Sequence, residues 1–553
     1  MAGKRTTTER RQNKKELERL LLLSPFLFGL FYPWTAAIAV LFLLGNLMLR
    51  YRAGELRLAA SPLLLATAGV VMFQALGALW GTDRGMAWIG ALQFLPLPLF
   101  VLALEQTEPE ERLPLLRNVP AAAVCMTLLS LLLSRIPAAA PWFLTDGRLS
   151  GFFQYPNTFA LYLLVGIVLF LFGEYPERKR PVLLTILLAG TVLSRSRAVL
   201  ALLFLLLVYY ALRKGSGKKR AAAAGAAAVL LAGAAWYYIR GAAPLSTFYG
   251  RLLYAQDVFP VIGKHPLGLG YLGYFWSQGS FQTGVYTTTH VHNDFLQILA
   301  DTGWIPAGIC VWALVRSLRR GGSRELRMLL TAVICLHSLF DFDLQYLAIA
   351  FLLLTALDAE TPGRPLTPKK AVLPLIAGLL AAFSLWLGTA SFLQYMGNAA
   401  AAVRVYPNYT TALVKQIPYA ESDEQEELAD RILKLNLSAA PAWDAKAQVS
   451  FYAGRLEEAA EAKRTALGLR KYDQAEYVEY LELMKNCWEI SMRRGDTQAA
   501  SEFLERMAEV PDMMRQVMEQ TSTLGTMIRD QVSLRMPEQY KKWISEKRGF
   551  NSY

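Results

Sequence analysis

The sequence predicts an all-α polytopic membrane protein of about 12–13 transmembrane helices, followed by a soluble α-helical domain. Three observations lead there. Apolar residues make up 54% of the 553 residues against 18% charged, with a mean hydropathy of +0.28, which leaves too little polar surface for a soluble protein. Apolar segments that can cross a bilayer, or nearly so, recur from Leu20 to about Phe392. Beyond Phe392 the chain turns charged and amphipathic.

Residues 1–19, MAGKRTTTERRQNKKELER, form a basic tail. No small-residue cleavage site follows it, so the tail reads as retained and cytoplasmic rather than as a signal peptide. Thirteen apolar segments come next, at 20–32, 34–49, 59–79, 86–104, 114–134, 158–173, 181–194, 198–212, 221–239, 303–318, 326–342, 344–357 and 371–392. Alternation from a cytoplasmic N-terminus puts RYRAGELR, GEYPERKR, RKGSGKKR, RSLRRGGSRELR and GRPLTPKK inside, as the positive-inside rule requires. The net charge of +13 sits mostly in these clusters, so it argues for membrane topology and against nucleic acid. The transmembrane domain is then 20–393, with a large extracytoplasmic loop at about 240–302 and the C-terminus outside. Cys125, Cys310, Cys335 and Cys487 mostly fall in apolar runs without a C-x-x-C pair, and read as small buried residues.

Residues 397–553 form the soluble extracytoplasmic domain. PAWDAKAQVSFYAGRLEEAAEAKRTALGL places Trp443, Ala447, Gly454, Ala459 and Ala466 at the spacing of a tetratricopeptide repeat, whose small residues let two helices pack closely. A weaker copy has Gly495, Ala500 and Met507. A generic helical bundle is the alternative. Repeats of this type bind peptides and partner proteins more often than they catalyse.

Four polar constellations fall on the outer face. TDGRLSGFFQYPNTFALYL carries Arg148, Gly151, Tyr155 and Asn157, and LSRSRAVLALLFLLL carries Arg195 and Arg197 at a tight turn. The large loop carries Arg251, HPLGLGYLGYF and HVHNDFLQ, and HSLFDFDLQ carries His337, Asp341 and Asp343. A lone arginine at a span end also snorkels to lipid phosphates, but Arg197 enters an apolar run on the side where positive charge is disfavoured, which favours a bound anion. Asp341-Phe-Asp343 is either a metal-holding D-x-D or a helix end with two solvated carboxylates, the latter preferred. His290 and His292 share one face of an extended segment and could hold a metal, yet no third histidine or cysteine lies nearby. Asn293 and Asp294 stand where a helix beginning DFLQILADTG wants its N-cap.

GRLSGFFQYPNTFALYL, LSRSRAVLAL, HPLGLGYLGYF, HVHNDFLQILADTGWIPAG and HSLFDFDL, in that order, resemble the landmarks of the O-antigen ligase superfamily over about Arg148 to Asp343. That family includes O-antigen ligases, bacterial O-oligosaccharyltransferases and polysaccharide polymerases. The resemblance implies a GT-C-like membrane glycosyltransferase that takes a glycan from a polyprenyl diphosphate carrier to an acceptor hydroxyl outside the cytoplasmic membrane. It implies that His292, followed by Asn293, is the family histidine, and that Arg197 is the arginine of the SRG-like turn, with Ala198 in place of Gly. Arg251 matches the arginine that opens the large-loop segment, and Asp301 stands where many relatives have Glu. The repeat-like tail resembles a subgroup bearing such repeats.

The chemistry fits these residues. A diphosphate leaving group needs cations, and arginine offers a permanently charged bidentate fork, so Arg197 and Arg251 with Arg148 can serve as a clamp without a metal or other cofactor. Neutral His292 suits the base that takes the acceptor proton, with inversion at the anomeric carbon. Asn157, Arg195, His290, Asn293 and Asp341 are the remaining substrate-binding candidates. Trp142, Tyr155, Tyr271, Tyr274, Phe275 and Trp276 either stack on sugars or belong to interfacial belts. The expected partners are the lipid-linked glycan, a glycan, lipid or protein acceptor, membrane lipids, and a protein bound by the repeats. A lipid-linked glycan flippase is the alternative function, although the polar residues gather at one face and no repeated halves are visible. A polytopic scaffold working through its tail would leave the arginines and histidines unexplained.

Overall fold

A computed structural model describes residues 14–58, 60–173, 180–217, 225, 245–320, 325–357 and 372–550. The protein is an all-α polytopic membrane protein, and the one small sheet among the described residues is the two-stranded hairpin Leu144–Thr145 and Arg148–Leu149. Among the described residues five helices are long and apolar enough to span: Pro33–Arg52, Pro62–Trp80, Ala87–Glu105, Pro109–Leu133 and Val372–Tyr395. The expected span 221–239, except for Gly225, lies outside the described residues.

The other expected spans correspond to shorter or interrupted helices, apart from 198–212, which lies in the continuous 18-residue helix Arg197–Lys214 with charged residues at both ends. The apolar run 20–32 is not one helix, because 3-10 turns at Ser24–Phe26 and Phe28–Leu30 break it, with Phe28, Gly29 and Leu30 at positive φ. The run 344–357 becomes a 3-10 turn, Asp343–Gln345, and the ten-residue helix Leu347–Ala356. Ten residues rise only about 15 Å, half the hydrocarbon thickness. Every residue of that helix is buried, so protein surrounds it in place of lipid. Cys125 is exposed, against the expectation of burial, on the otherwise apolar helix Val119–Leu133.

The chain forms two compact units. The first is Met1–Ala75, Trp88–Ala243 and His292–Phe392. At its centre stands Pro156–Phe172, buried from Pro156 to Phe170 and packed on helices Val119–Leu133, Arg180–Ser194, Arg197–Lys214 and Glu325–Ser338. A helix apolar all round has no face for water, so neighbours enclose it. Phe100 stacks on Phe351 at 4.2 Å between ring centroids.

The second unit is Leu76–Ala87, Pro244–Val291 and Leu393–Tyr553. Most of the large loop therefore clusters with the C-terminal residues rather than with the helices beside it in sequence. Asp257 on helix Ser246–Lys264 accepts from Thr283 N (2.8 Å), Thr283 Oγ1 (2.6 Å) and Tyr286 OH (2.9 Å). Thr283 O in turn accepts Ser522 N at 3.0 Å. The C-terminal residues form helical hairpins, Ala440–Tyr452 with Leu456–Leu469 and Gln474–Arg493 with Thr497–Glu519. Gly454 and Gly495 end the first helix of each pair at positive φ, the left-handed position that glycine adopts at little cost. Between them Lys463 is held by Asp444, Glu476 and Glu479 at 2.8, 2.8 and 2.5 Å. Burial lowers its pKa, but the three carboxylates outweigh burial and raise it. That acidic cluster already holds its cation in the lysine.

Candidate active site

Arg148 is presented by the hairpin. Asp146 and Gly147, both at positive φ, make the two-residue turn that Asp-Gly favours, and they pair Thr145 with Arg148. Gly151 follows at φ +59, where a Cβ would lie 2.4 Å from the Phe159 ring, so only glycine lets the chain drop onto the central helix. Pro156 then fixes the first helical turn and sets Asn157 inside it.

Arg148 Nε donates to Ser194 O at 2.8 Å, and Nη2 donates to Asn157 Oδ1 at 2.6 Å. Ser194 ends the helix Arg180–Ser194, and Arg197 starts the next one. Arg195 and Arg197 therefore flank the turn that Arg148 grips, and both are exposed. Arg195 sits at φ 51, a strained region for a side chain of its size.

Asn157 Nδ2 donates to Asp341 Oδ2 at 2.8 Å and to Tyr155 OH at 3.0 Å, and Tyr155 OH donates to Asp341 Oδ1 at 2.8 Å. His292 Nδ1 lies 3.2 Å from the same Oδ1, and Phe342 N donates to it at 3.1 Å. Donor and acceptor chemistry orients the whole chain. Arginine only donates and an ionised carboxylate only accepts, so the Asn157 amide has one orientation. His292 Nδ1 then carries the proton shared with Asp341, and Nε2 is the ring nitrogen that can accept one. Phe342 meets the imidazole edge-on at 4.9 Å, and the Tyr155 ring lies tilted against Phe342 at 4.7 Å. The Asp341 side chain is 0% exposed, whereas that of His292 is 19% exposed at φ 56. A strained, partly open histidine on a closed carboxylate is the arrangement expected where function holds strain in place.

Asp343, on the other side of Phe342, has a separate partner set. It accepts from Thr158 Oγ1 at 2.7 Å and lies 2.5 Å from His337 Nδ1, all of it buried. Asp294 accepts Leu344 N at 2.8 Å, and burial together with the Asp343 charge pushes its carboxyl well above the ordinary range. The two carboxylates of Asp341-Phe-Asp343 are thus each paired with a histidine. They are not solvated at a helix end, because the chain enters the 3-10 turn Asp343–Gln345 here and buries both.

Asn293 caps the helix Asp294–Thr302 by accepting Leu296 N at 3.0 Å, while its Nδ2 donates to Leu339 O at 3.0 Å. Asp301 takes Gln297 Nε2 at 2.8 Å and lines an apolar cavity of about 480 Å³ between helices Pro62–Trp80 and Trp304–Arg320. His290 and Arg251 belong to the second unit, where His290 O accepts Thr288 Oγ1 at 3.0 Å and Arg251 stands half-buried on helix Ser246–Lys264. Tyr274 is fully buried and offers no face for stacking, whereas Trp142 is exposed. The roles of Tyr155 OH, Thr158 and His337 were not read from sequence. The proximity of Tyr155 and Thr158 to Asn157 was the available signal.

Residues 182–311 match the family model described as O-antigen ligase. The stretch contains Arg195, Arg197, Arg251, His290, His292 and Asn293, while Arg148, Asn157 and Asp341 lie outside it. No curated protein matches the chain. That stretch is similar to O-antigen ligases, a family of the glycan ligase and polymerase type, and the spanning helices fit a multi-pass membrane protein.

Proposed function

We propose that the protein transfers a glycan from a polyprenyl diphosphate carrier to an acceptor hydroxyl on the outer face of the cytoplasmic membrane. The observation that carries this reading is the His292–Asp341 pair, joined through Asn157 to Arg148 and so to the Arg195–Arg197 turn. In the reaction His292 Nε2 takes the acceptor proton as the acceptor oxygen attacks the anomeric carbon. The bond from that carbon to the diphosphate oxygen breaks, and the polyprenyl diphosphate leaves with the electron pair. One displacement inverts the anomeric centre. Asp341 holds the imidazole in the tautomer required and stabilises the imidazolium that forms. Arg195 and Arg197 meet the charge growing on the diphosphate, and Arg148 keeps their turn in place. Guanidinium groups balance that charge in the manner of a divalent ion, so transfer is expected to survive a chelator. The C-terminal hairpins are read as tetratricopeptide-like repeats that dock an acceptor or a protein partner.

The test uses proteoliposomes loaded with native lipid-linked glycan and envelope acceptors, with and without chelator. Transfer by wild type, resistant to chelator and reduced at least tenfold in Arg197→Lys, supports the proposal. Movement of lipid-linked glycan across the bilayer with no transfer product would replace the enzyme with a transporter.

A further inference from the structure

The second unit carries a cleft that the transfer chemistry does not use. It has a volume of about 680 Å³ and lies between residues 275–287 and the turns preceding helices Ala440–Tyr452 and Gln474–Arg493. The cleft is built into the unit. Gly279 approaches so close that a Cβ would stand 1.7 Å from Leu469 O, and Lys471 Nζ donates to Ser280 O at 3.3 Å.

Its lining divides by chemistry. Phe275 and Trp276, edge-to-face at 5.1 Å, join Tyr286 and Tyr472 as aromatic surface. The hydroxyls of the two tyrosines bond to Asp257 (2.9 Å) and Thr521 (3.2 Å), so the cleft receives mainly their rings. Thr287, Ser438 and Asp530 also line the cleft, and their side chains make no hydrogen bond or ion pair among the described residues. Aromatic surface beside uncommitted hydroxyls and a carboxylate suits a ligand with apolar C–H faces and many hydroxyl edges.

The charge narrows the choice. Arg470 is occupied by Asp444 and Glu476, and Asp473 and Asp530 add negative charge, which disfavours phosphate or carboxylate ligands. An extended peptide would want a free strand edge, and the described residues of this unit contain no strand. We propose that this cleft binds a neutral oligosaccharide, with pyranose C–H faces on Phe275 and Trp276 and ring hydroxyls on Thr287, Ser438 and Asp530.

The test applies full-length protein in detergent micelles to an array of neutral oligosaccharides, anionic oligosaccharides and peptides. The best neutral binder is then titrated by saturation-transfer NMR. Saturable binding is expected, weakened about fivefold to tenfold in Ser438→Ala and in Asp530→Asn, the loss of one hydrogen bond each. Phe275→Ala should weaken it further. Asp530 is exposed, so its substitution leaves folding intact, which thermal unfolding checks. His292→Ala should bind like wild type, so failure of the transfer reading leaves this inference standing. Absence of any neutral binder, binding unchanged in all three cleft variants, or binding confined to anionic glycans or peptides would overturn it.

Discussion

In the proposed reaction, Asp341 decides which nitrogen of His292 takes the proton. Its Oδ1 receives protons from Tyr155, Phe342 N and His292, and its Oδ2 receives one from Asn157, so the carboxylate is held as an acceptor on all sides. Asp341→Asn turns an NH2 or a single carbonyl toward those donors and removes the preference for Nδ1–H. Transfer should fall by about 10² or more, measured as initial rate in proteoliposomes, with little change in protein yield. Tyr155→Phe removes one donor to Asp341 and one acceptor for Asn157. Its expected cost is about tenfold in rate. The individual residues were legible in the sequence, since histidine, arginine and aspartate stand out in an apolar chain. Their pairing was not, because His292 and Asp341 are 49 residues apart and Asn157 and Asp341 are 184 apart. Packing of the central helix against the 337–345 segment joins Asn157 to Asp341, and the bonds of Asn293 to Leu339 and of Asp294 to Leu344 bring His292 to the same segment.

At the scale of elements, two nearby glycines separate local from tertiary demands. Gly147 has open space around its Cβ position and only a positive φ to satisfy, so Gly147→Ala should cost about 1 kcal/mol. Gly151 has the same backbone demand together with the Phe159 ring at 2.4 Å, so Gly151→Ala should cost about 2–4 kcal/mol. Thermal unfolding in detergent ranks the two, and equal effects would show that the Phe159 contact does not matter. The Asp-Gly turn was visible in the sequence, yet an all-helical reading passed over it. Helix existence was also legible, since apolar runs such as 59–79 and 86–104 match the helices Pro62–Trp80 and Ala87–Glu105. Runs 20–32 and 344–357 misled because buried and lipid-facing apolar residues look alike in composition. Positive φ at Phe28 and Leu30 and the turn at Asp343 are set by neighbours distant in sequence.

At the scale of the molecule, the second unit gathers three separated stretches of chain, which no periodicity announces. Asp83 is one of its ties, accepting from Met86 N (3.1 Å), Thr410 Oγ1 (2.8 Å) and Asn436 Nδ2 (3.2 Å). Burial outweighs these bonds and raises its carboxyl to about 6, above the ordinary 3.8. The folded state then holds a proton that the unfolded chain has released, so stability falls as pH rises from about 4 through 6. Between pH 5 and 7 the unit should lose about 1 kcal/mol, read by hydrogen exchange over residues 410–436. Asp83→Asn should remove that slope, and a slope that persists would assign it elsewhere. The whole reading turns on His292 as the group that takes the acceptor's proton. The most direct measurement is single-turnover transfer of lipid-linked glycan by wild type and His292→Ala in proteoliposomes, with carrier binding followed in parallel. A loss of about 10² to 10⁴ in transfer with carrier binding retained is predicted. Transfer at the wild-type rate by His292→Ala would contradict it.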